Sequence, residues 1–326
     1  MQPYPDLPED EQVELLRGAA RSASDRFGLG PVELSLVIHA YNTTFRADLA
    51  DGRTVAVRVN TNSQSTPANI RAQLAWTHAL RVEAGLLVPD PQLTPDGEPF
   101  VTELVDGLGP VIVVVNSWLE GDDVGVGATP AVIATELGRT MAALHDHAES
   151  WTMPPGATLP TFDTPLFGDE NLIGSALTGP DAAVIAAAFE RSGAAFARLA
   201  DRPTIALHAD LHGGNLKWHD DRLAVFDFDD AGLGVPELDL AIALFYLREP
   251  DDPAEAALLE GYASRRPLPP AVFEVADDLM AARQLLLGNS LLLSTTASVR
   301  AEAEEYLGVT VERLRRWLDT GRFSRL

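Results

Sequence analysis

Apolar positions change their rhythm twice along this chain. From residue 8 to 27 they fall at helical spacing behind an acidic first turn, at Val13, Leu15, Leu16, Ala19 and Ala20, and Gly28 and Gly30 end the run. The pattern predicts a helix there. Short, partly alternating stretches follow, VELSLVIHA and TTFRADLA, and Asp51-Gly52 marks a hairpin turn before RTVAVRVN. Pro67 opens a helix expected over 68–85, which carries Ile70, Leu74, Ala75 and Leu80. Phe100–Val105 and Val111–Trp118 read as two more strands, joined by the turn-like DGLGP. Strands, a helix and strands again predict an antiparallel sheet with a single long helix packed on it.

The rhythm then changes. Leu119–Pro130 is rich in Gly and Asp and reads as a linker. Beyond it, helices are expected over 131–148, 181–200, 236–248, 252–264, 269–295 and 298–318. Short strand-like pieces near 203–207, 214–218 and 222–228 interrupt them once. The whole reads as an α+β chain: a leading helix (1–27), a β-rich small lobe (28–118), a linker (119–130) and a helical large lobe (131–326).

Composition narrows the chemistry. There is no cysteine, which excludes thiolate catalysis, disulfides and Cys-zinc sites. The formal net charge is −24, a surface that repels nucleic acid and anionic membranes and attracts cations. Lys217 is the single lysine, so arginine must serve wherever else a cation is needed. The acidic N-terminus lacks the apolar core of a signal peptide, and VIVVV at Val111–Val115 is far too short to span a bilayer. A cytoplasmic protein is expected.

The stretch HADLHGGN, His208–Asn215, carries the densest chemistry. His208 and His212 have zinc-helix spacing, but the glycine pair and the strand-like RPTIAL before them argue against a helix. A second reading fits better. Asp210 and Asn215 are spaced D-x-x-x-x-N, and the apolar strand LAVFDFDD ends in Asp227. Phosphoryl transfer uses such a set: Asp210 takes the proton of the acceptor hydroxyl, while Asn215 and Asp227 hold Mg²⁺ against the phosphates. A hairpin turning at Asp220-Asp221 would bring Asn215 and Asp227 onto neighbouring strands. In VAVR, Ala56 and Arg58 share a strand face, the first leaving room for a purine and the second reaching phosphate. His208 reads as a brace for the loop, His212 as packing or loop scaffolding and Asp239 as a structural anchor. Asp229 and Asp230 could touch a second Mg²⁺ or cap the turn at Gly232.

The segment HADLHGGNLKWHDDRLAVFDFDDAGLGVPELDLA resembles the aminoglycoside phosphotransferase and choline kinase group, including its bacterial homoserine kinase-like members. DGRTVAVRV, IRAQLAWTHAL, SWLEGDD and LGRTMAALHDHAESW extend the likeness over roughly residues 28 to 300. The resemblance implies a bilobal protein-kinase-like fold, with ATP and Mg²⁺ as cofactors. It implies Asp210 as catalytic base, Asn215 and Asp227 as metal ligands and Arg58 as phosphate contact. The backbone of Asn116, Ser117, Trp118 and Leu119 would be the hinge that receives adenine. Two departures stand out: Gln73 replaces the usual glutamate partner of the strand cation, and HAYNTTF replaces a glycine-rich phosphate loop.

The expected activity is transfer of the γ-phosphate of ATP to a hydroxyl of a small molecule, and the acidic charge makes a cationic acceptor attractive. A nucleotide-binding pseudokinase is the alternative, motivated by the two departures. A Ser/Thr protein kinase fits less well, because DFDDAGLGVPELDLA leaves little room for a peptide-docking loop.

Overall fold

Turn chemistry at Asp51-Gly52 sets the register of the small lobe. In the computed structural model, which describes residues 3–62, 65–124, 131–249 and 253–325, Gly52 adopts φ 85° and Leu49 N–H bonds to the Arg53 carbonyl. The leading helix α1 (Glu9–Arg26) precedes β1 (Pro31–His39), β2 (Thr43–Leu49) and β3 (Thr54–Asn60). After α2 (Pro67–Glu83) come β4 (Val101–Val105) and β5 (Gly109–Ser117). The five strands form one antiparallel sheet in the order β1-β2-β3-β5-β4.

Alternation along β3 separates two environments. Val55, Val57 and Val59 are buried with Val111, Val113 and Val115 against Leu16, Ala20 and Ala23 of α1. The helix packed on the sheet is therefore α1, whereas the strand pattern had suggested α2, which faces the sheet across a cleft. Helix α1 seals the outer face, and α2 lies on the inner side with Thr66 and Asn69 closing a capping box around its first turn. Trp76 of α2 is fully buried in the large lobe's core, edge-on to Phe228 at 5.6 Å. The two lobes thus share a core.

The large lobe opens with β6 (Asp122–Asp123), which follows the start of the linker; residues 125–130 of that linker lie outside the described residues. Then come α3 (Ala131–Ala148), α4 (Ile173–Ala176), α5 (Gly179–Leu199) and β7 (Ile205–Leu207). The hairpin β8 (Leu216–His219) and β9 (Arg222–Val225) and the short β10 (Gly232–Gly234) precede α6 (Pro236–Leu247), α7 (Ala254–Ala263), α8 (Val272–Leu293), α9 (Ala297–Ala301) and α10 (Ala303–Thr320). The helix expected over 298–318 is broken at Glu302 into α9 and α10. Helix α6 is apolar nearly all round, so it runs through the centre of the lobe.

A second connection joins the lobes far from the linker. Asn62, just past β3, accepts hydrogen bonds from Thr295 N and Oγ1, both at 2.6 Å, and donates to Thr296 Oγ1 at 3.0 Å. Thr296 in turn donates to the Ala40 carbonyl, and Gln12 of α1 meets Thr295 O at 3.3 Å. We refer to this as the clasp. No helix among the described residues is long and apolar enough to cross a membrane.

Helices α3 and α7 touch through glycine on both sides. A Cβ on Gly138 would lie 2.0 Å from the Leu258 carbonyl oxygen, and one on Gly261 would lie 2.1 Å from that of Thr135. Gly18 of α1 has nothing within 4 Å. Gly138→Ala should lower stability by about 1–3 kcal/mol through overpacking, whereas Gly18→Ala should raise it by about 0.5–1 kcal/mol through helix propensity. Thermal and urea unfolding of the two variants would separate the effects.

Candidate functional site

The loop after β7 is bent into place by a buried carboxylate. Ala209 has φ 63°, a left-handed conformation that costs an alanine energy. Asp239, wholly buried near the start of α6, accepts the Ala209 N–H at 2.8 Å with Oδ1 and bonds His145 Nε2 at 3.0 Å with Oδ2. The Tyr262 hydroxyl completes the relay at His145 Nδ1, 2.8 Å away. Burial pushes the Asp239 carboxyl up, but the hydrogen bond and charge of His145 hold it below the usual carboxylate range.

His208 braces the same loop. Its Nε2 donates to Phe226 O at 3.0 Å and its Nδ1 accepts from Asp210 N at 3.3 Å, so both ring nitrogens are spent on backbone. His212 accepts from Gly214 N at 3.0 Å, packs at a tilt against Tyr246 and stands 3.5 Å from Asp210 Oδ2. These contacts give the two histidines the scaffolding roles expected of them.

Asp210 and Asn215 meet directly. The Asn215 amide donates to the Asp210 backbone carbonyl at 2.9 Å and to its Oδ2 at 3.0 Å. With its nitrogen spent there, the carbonyl oxygen is the atom Asn215 has left for a cation. The hairpin from β8 to β9 turns at Asp220 and Asp221, both at positive φ, and pairs Leu216 with Val225. Phe226 N donates to Asn215 O at 3.1 Å, which ties the two arms at their base. Asp227 does not sit at the end of the strand as expected. Strand β9 stops at Val225, and Asp227 follows in a left-handed conformation, φ 66°. The kink starts a short turn, Phe228–Asp230, and brings Asp227 and Asp229 to the cleft under the sheet.

Arg58 reaches across that cleft. It donates to Asp227 Oδ1 at 2.6 Å and pairs with Asp229 as well. Gln73 does not hydrogen-bond Arg58, the role open to it in the sequence; its amide donates to the Asp229 carbonyl at 2.7 Å and to Ser65 Oγ at 3.0 Å. Asn42, from the HAYNTTF turn, donates to Asp229 Oδ2 at 2.6 Å. The Asp229 side chain is therefore committed to Arg58 and Asn42 and does not cap the turn at Gly232. Burial pushes the Asp229 carboxyl up against the pull of Arg58. Asp230 is also pushed up, by desolvation first and then by the Asp210 charge, although about half of its side chain (51%) is exposed.

The cleft above these groups is lined by Arg58, Gln73, Val114, Asn116 and Asp227, among others. Two carboxamide oxygens, Asn60 Oδ1 and Asn116 Oδ1, are buried without a hydrogen-bond partner. Unpaired buried acceptors are costly, and a ligand bearing N–H donors would relieve them. Asn116 alone of the four expected hinge residues is among those lining the cleft. Ser117 exchanges hydrogen bonds with the Asp90 backbone, Trp118 lies between Arg46 and Lys217, and Leu119 follows them toward β6. Among the described residues no three carboxylates or histidines converge on one point. An amide oxygen and one carboxylate, from Asn215 and Asp227, suit Mg²⁺, which keeps few protein ligands and shares its shell with phosphates.

Arg283 escaped the sequence analysis. It lies within α8, 4% exposed, and pairs with Asp210. A charged residue inside the apolar run LMAARQLLLGNSLLL was the available signal.

Similarity to known proteins follows the same geometry. The sequence pattern of the phosphotransferase enzyme family matches residues 37–272. Amicoumacin kinase of Bacillus subtilis (strain 168) is 22% identical over 282 residues, covering 81% of each chain. The structure of amicoumacin kinase hAmiN in complex with AMP-PNP, Ca²⁺ and Ami superposes with TM-score 0.71 at 19% identity, covering 93% of each chain. A microcompartment-associated aminopropanol kinase gives TM-score 0.70 at 22% identity, covering 97% of this chain and 100% of its own. These likenesses place the fold in the kinase-like class with a five-stranded small lobe.

Replacing Asp239 with Ala would strand the Ala209 N–H and His145 in the core. A loss of about 3 kcal/mol or more is expected, measured by urea unfolding. Ligand binding in the cleft should weaken with it, because the loop that carries Asp210 loses its anchor.

Proposed function

The chain belongs to the phosphotransferase enzyme family, and on that premise we propose that it moves the γ-phosphoryl group of ATP to a hydroxyl of a small acceptor, with Mg²⁺ as metal. The observation that carries this reading is the direct contact of Asp210 with Asn215 beside the cleft that holds Arg58 and Asp227. In the reaction the acceptor oxygen forms a bond to the γ-phosphorus as the bond to the β,γ-bridging oxygen breaks. The hydroxyl proton goes to Asp210, and ADP leaves. Asn215 and Asp227 would hold Mg²⁺, which supplies charge neutralisation to the phosphates. Arg58 would exchange part of its grip on Asp227 and Asp229 for phosphate oxygens. Asn116, opposite Ala56, would accept from the nucleobase. ATP as phosphoryl donor puts the reaction in the cytoplasm.

A small acceptor follows from the short path between Asp227 and Pro236, where α6 already begins. The aminopropanol kinase it is similar to is named for a small amine-bearing alcohol. The formal net charge of −24 supports a cationic group on the acceptor. One observation favours a second reading. Arg58 bridges Asp227 and Asp229 by itself, doing with a guanidinium what a divalent cation would do, as in a pseudokinase that binds nucleotide without turning it over.

Asp210→Asn should cut ADP release in the presence of acceptor by about 10²–10⁴-fold, the usual worth of a general base, with nucleotide affinity retained. Undiminished turnover would remove Asp210 from its role. Nucleotide binding should also depend on Mg²⁺ in the wild type and lose that dependence in Asp227→Ala. Binding indifferent to Mg²⁺ in both proteins would favour the pseudokinase.

A further inference from the structure

The cation on Asp210 is underused. Arg283 Nη2 donates to Asp210 Oδ1 and to the Tyr246 hydroxyl, the latter at 3.0 Å, while Nη1 stays 3.9 Å from Asp230 Oδ2. Its Nε is buried with no hydrogen-bond partner. A guanidinium is built to grip a planar anion through two parallel bonds, and here it makes one. The other oxygen of Asp210 already receives the Asn215 amide at 3.0 Å. Both carboxylate oxygens are therefore engaged before any acceptor arrives.

Acidic residues outnumber basic ones two to one in this chain, 48 to 24. Yet a second arginine joins Arg283 at the Tyr246 ring. Arg325 lies over the Tyr246 ring at 5.5 Å, and Arg313 holds the Arg325 carbonyl at 2.8 Å. Neither has a carboxylate partner among the described residues, although most arginines elsewhere in the chain do. Arg283 and Arg325 thus put two guanidiniums against the Tyr246 ring, and one of them is the cation on Asp210.

We propose that the acceptor carries a carboxylate in addition to its reactive hydroxyl, and that Arg283 binds this carboxylate and so releases Asp210 Oδ1 to the hydroxyl. The assignment rests on the phosphotransfer reading above and deepens it. The guanidinium trades one carboxylate for another, so no buried charge is left alone, and the orphaned Nε gains an acceptor. An acceptor without a carboxylate leaves Arg283 on Asp210, and its hydroxyl must compete for an occupied oxygen. Selection then works by pairing, with Arg283 as the residue that sets it.

The test uses matched acceptors with the full chain and Mg-ATP. Homoserine is compared with 3-amino-1-propanol, and 4-hydroxybutyrate with 1-propanol; each pair differs by the carboxylate alone. The carboxylate should raise kcat/KM by about tenfold or more in each pair, as expected of a hydrogen bond between charged groups. Arg283→Gln should abolish that gain, and Arg283→Lys should keep part of it, chiefly through KM. Calorimetric binding of 4-hydroxybutyrate to the Mg-ADP complex gives a readout independent of turnover: binding in the wild type, lost in Arg283→Gln with an unchanged circular dichroism spectrum, supports the assignment. A gain that is absent, or that survives in Arg283→Gln, overturns it. So does a wild type that does not bind the acid. Turnover of amino alcohols or sugars with no carboxylate gain would sink this inference and leave phosphotransfer standing. Arg283-dependent binding of the acid, with no ADP release from any acceptor, would do the reverse.

Discussion

The working parts of this protein hang on one buried carboxylate. Asp239 has no exposed surface, and an isolated charge there would be expensive. It persists because each oxygen has a donor: the backbone N–H of Ala209 on one side and His145 on the other. The first bond holds a non-glycine residue in a left-handed turn, which delivers His208 and Asp210 from the end of β7 into their positions. The second ties that turn to α3 and, through Tyr262, to α7. Asp210 needs this support because it lies in a loop, and a loop holds a catalytic geometry only when packed elements fix it.

Charge in the cleft follows the same logic of shared partners. Asp227, Asp229 and Asp230 follow closely across a kinked turn, and burial, with neighbouring carboxylates adding to it, raises the cost of ionising Asp229 and Asp230. Arg58 offsets two of them from above and Arg283 stands near the third from below. Both cations come from elements that the turn itself does not contain, β3 in one lobe and α8 in the other. The electrostatic balance of the site therefore exists only when both lobes are folded and in contact.

What the chain's own letters revealed was mostly local. Alternation in TVAVRVN put Ala56 and Arg58 on one face, and the register bears this out, with Ala56 opposite Asn116 and Arg58 opposite Val114. The hairpin turns at Asp51-Gly52 and Asp220-Asp221, the start of α2 at Pro67 and the bracing role of His208 were all legible, because each depends on neighbours within a few positions. Contacts between distant residues were not. Arg283 meets Asp210 from far along the chain, and Gln73 finds the Asp229 carbonyl and leaves Arg58 to the aspartates. The docking of α1 on the outer face of the sheet was hidden for the same reason: an amphipathic helix announces that it has a partner, without saying which. The end of β9 two residues before Asp227 reflects backbone strain that alternation cannot show.

The clasp has a mechanical consequence. A two-lobed body joined by one linker can open like a jaw about that single joint. Here Asn62, Thr295 and Thr296 form a second joint on the far side, and Gln12 and Ala40 brace it. Together with Trp76 in the shared core and Arg58 on the aspartates, it holds the small lobe over the large one at several separate places. Any gaping of the lobes must therefore first break the bonds of Asn62 to the segment from Ser294 to Thr296.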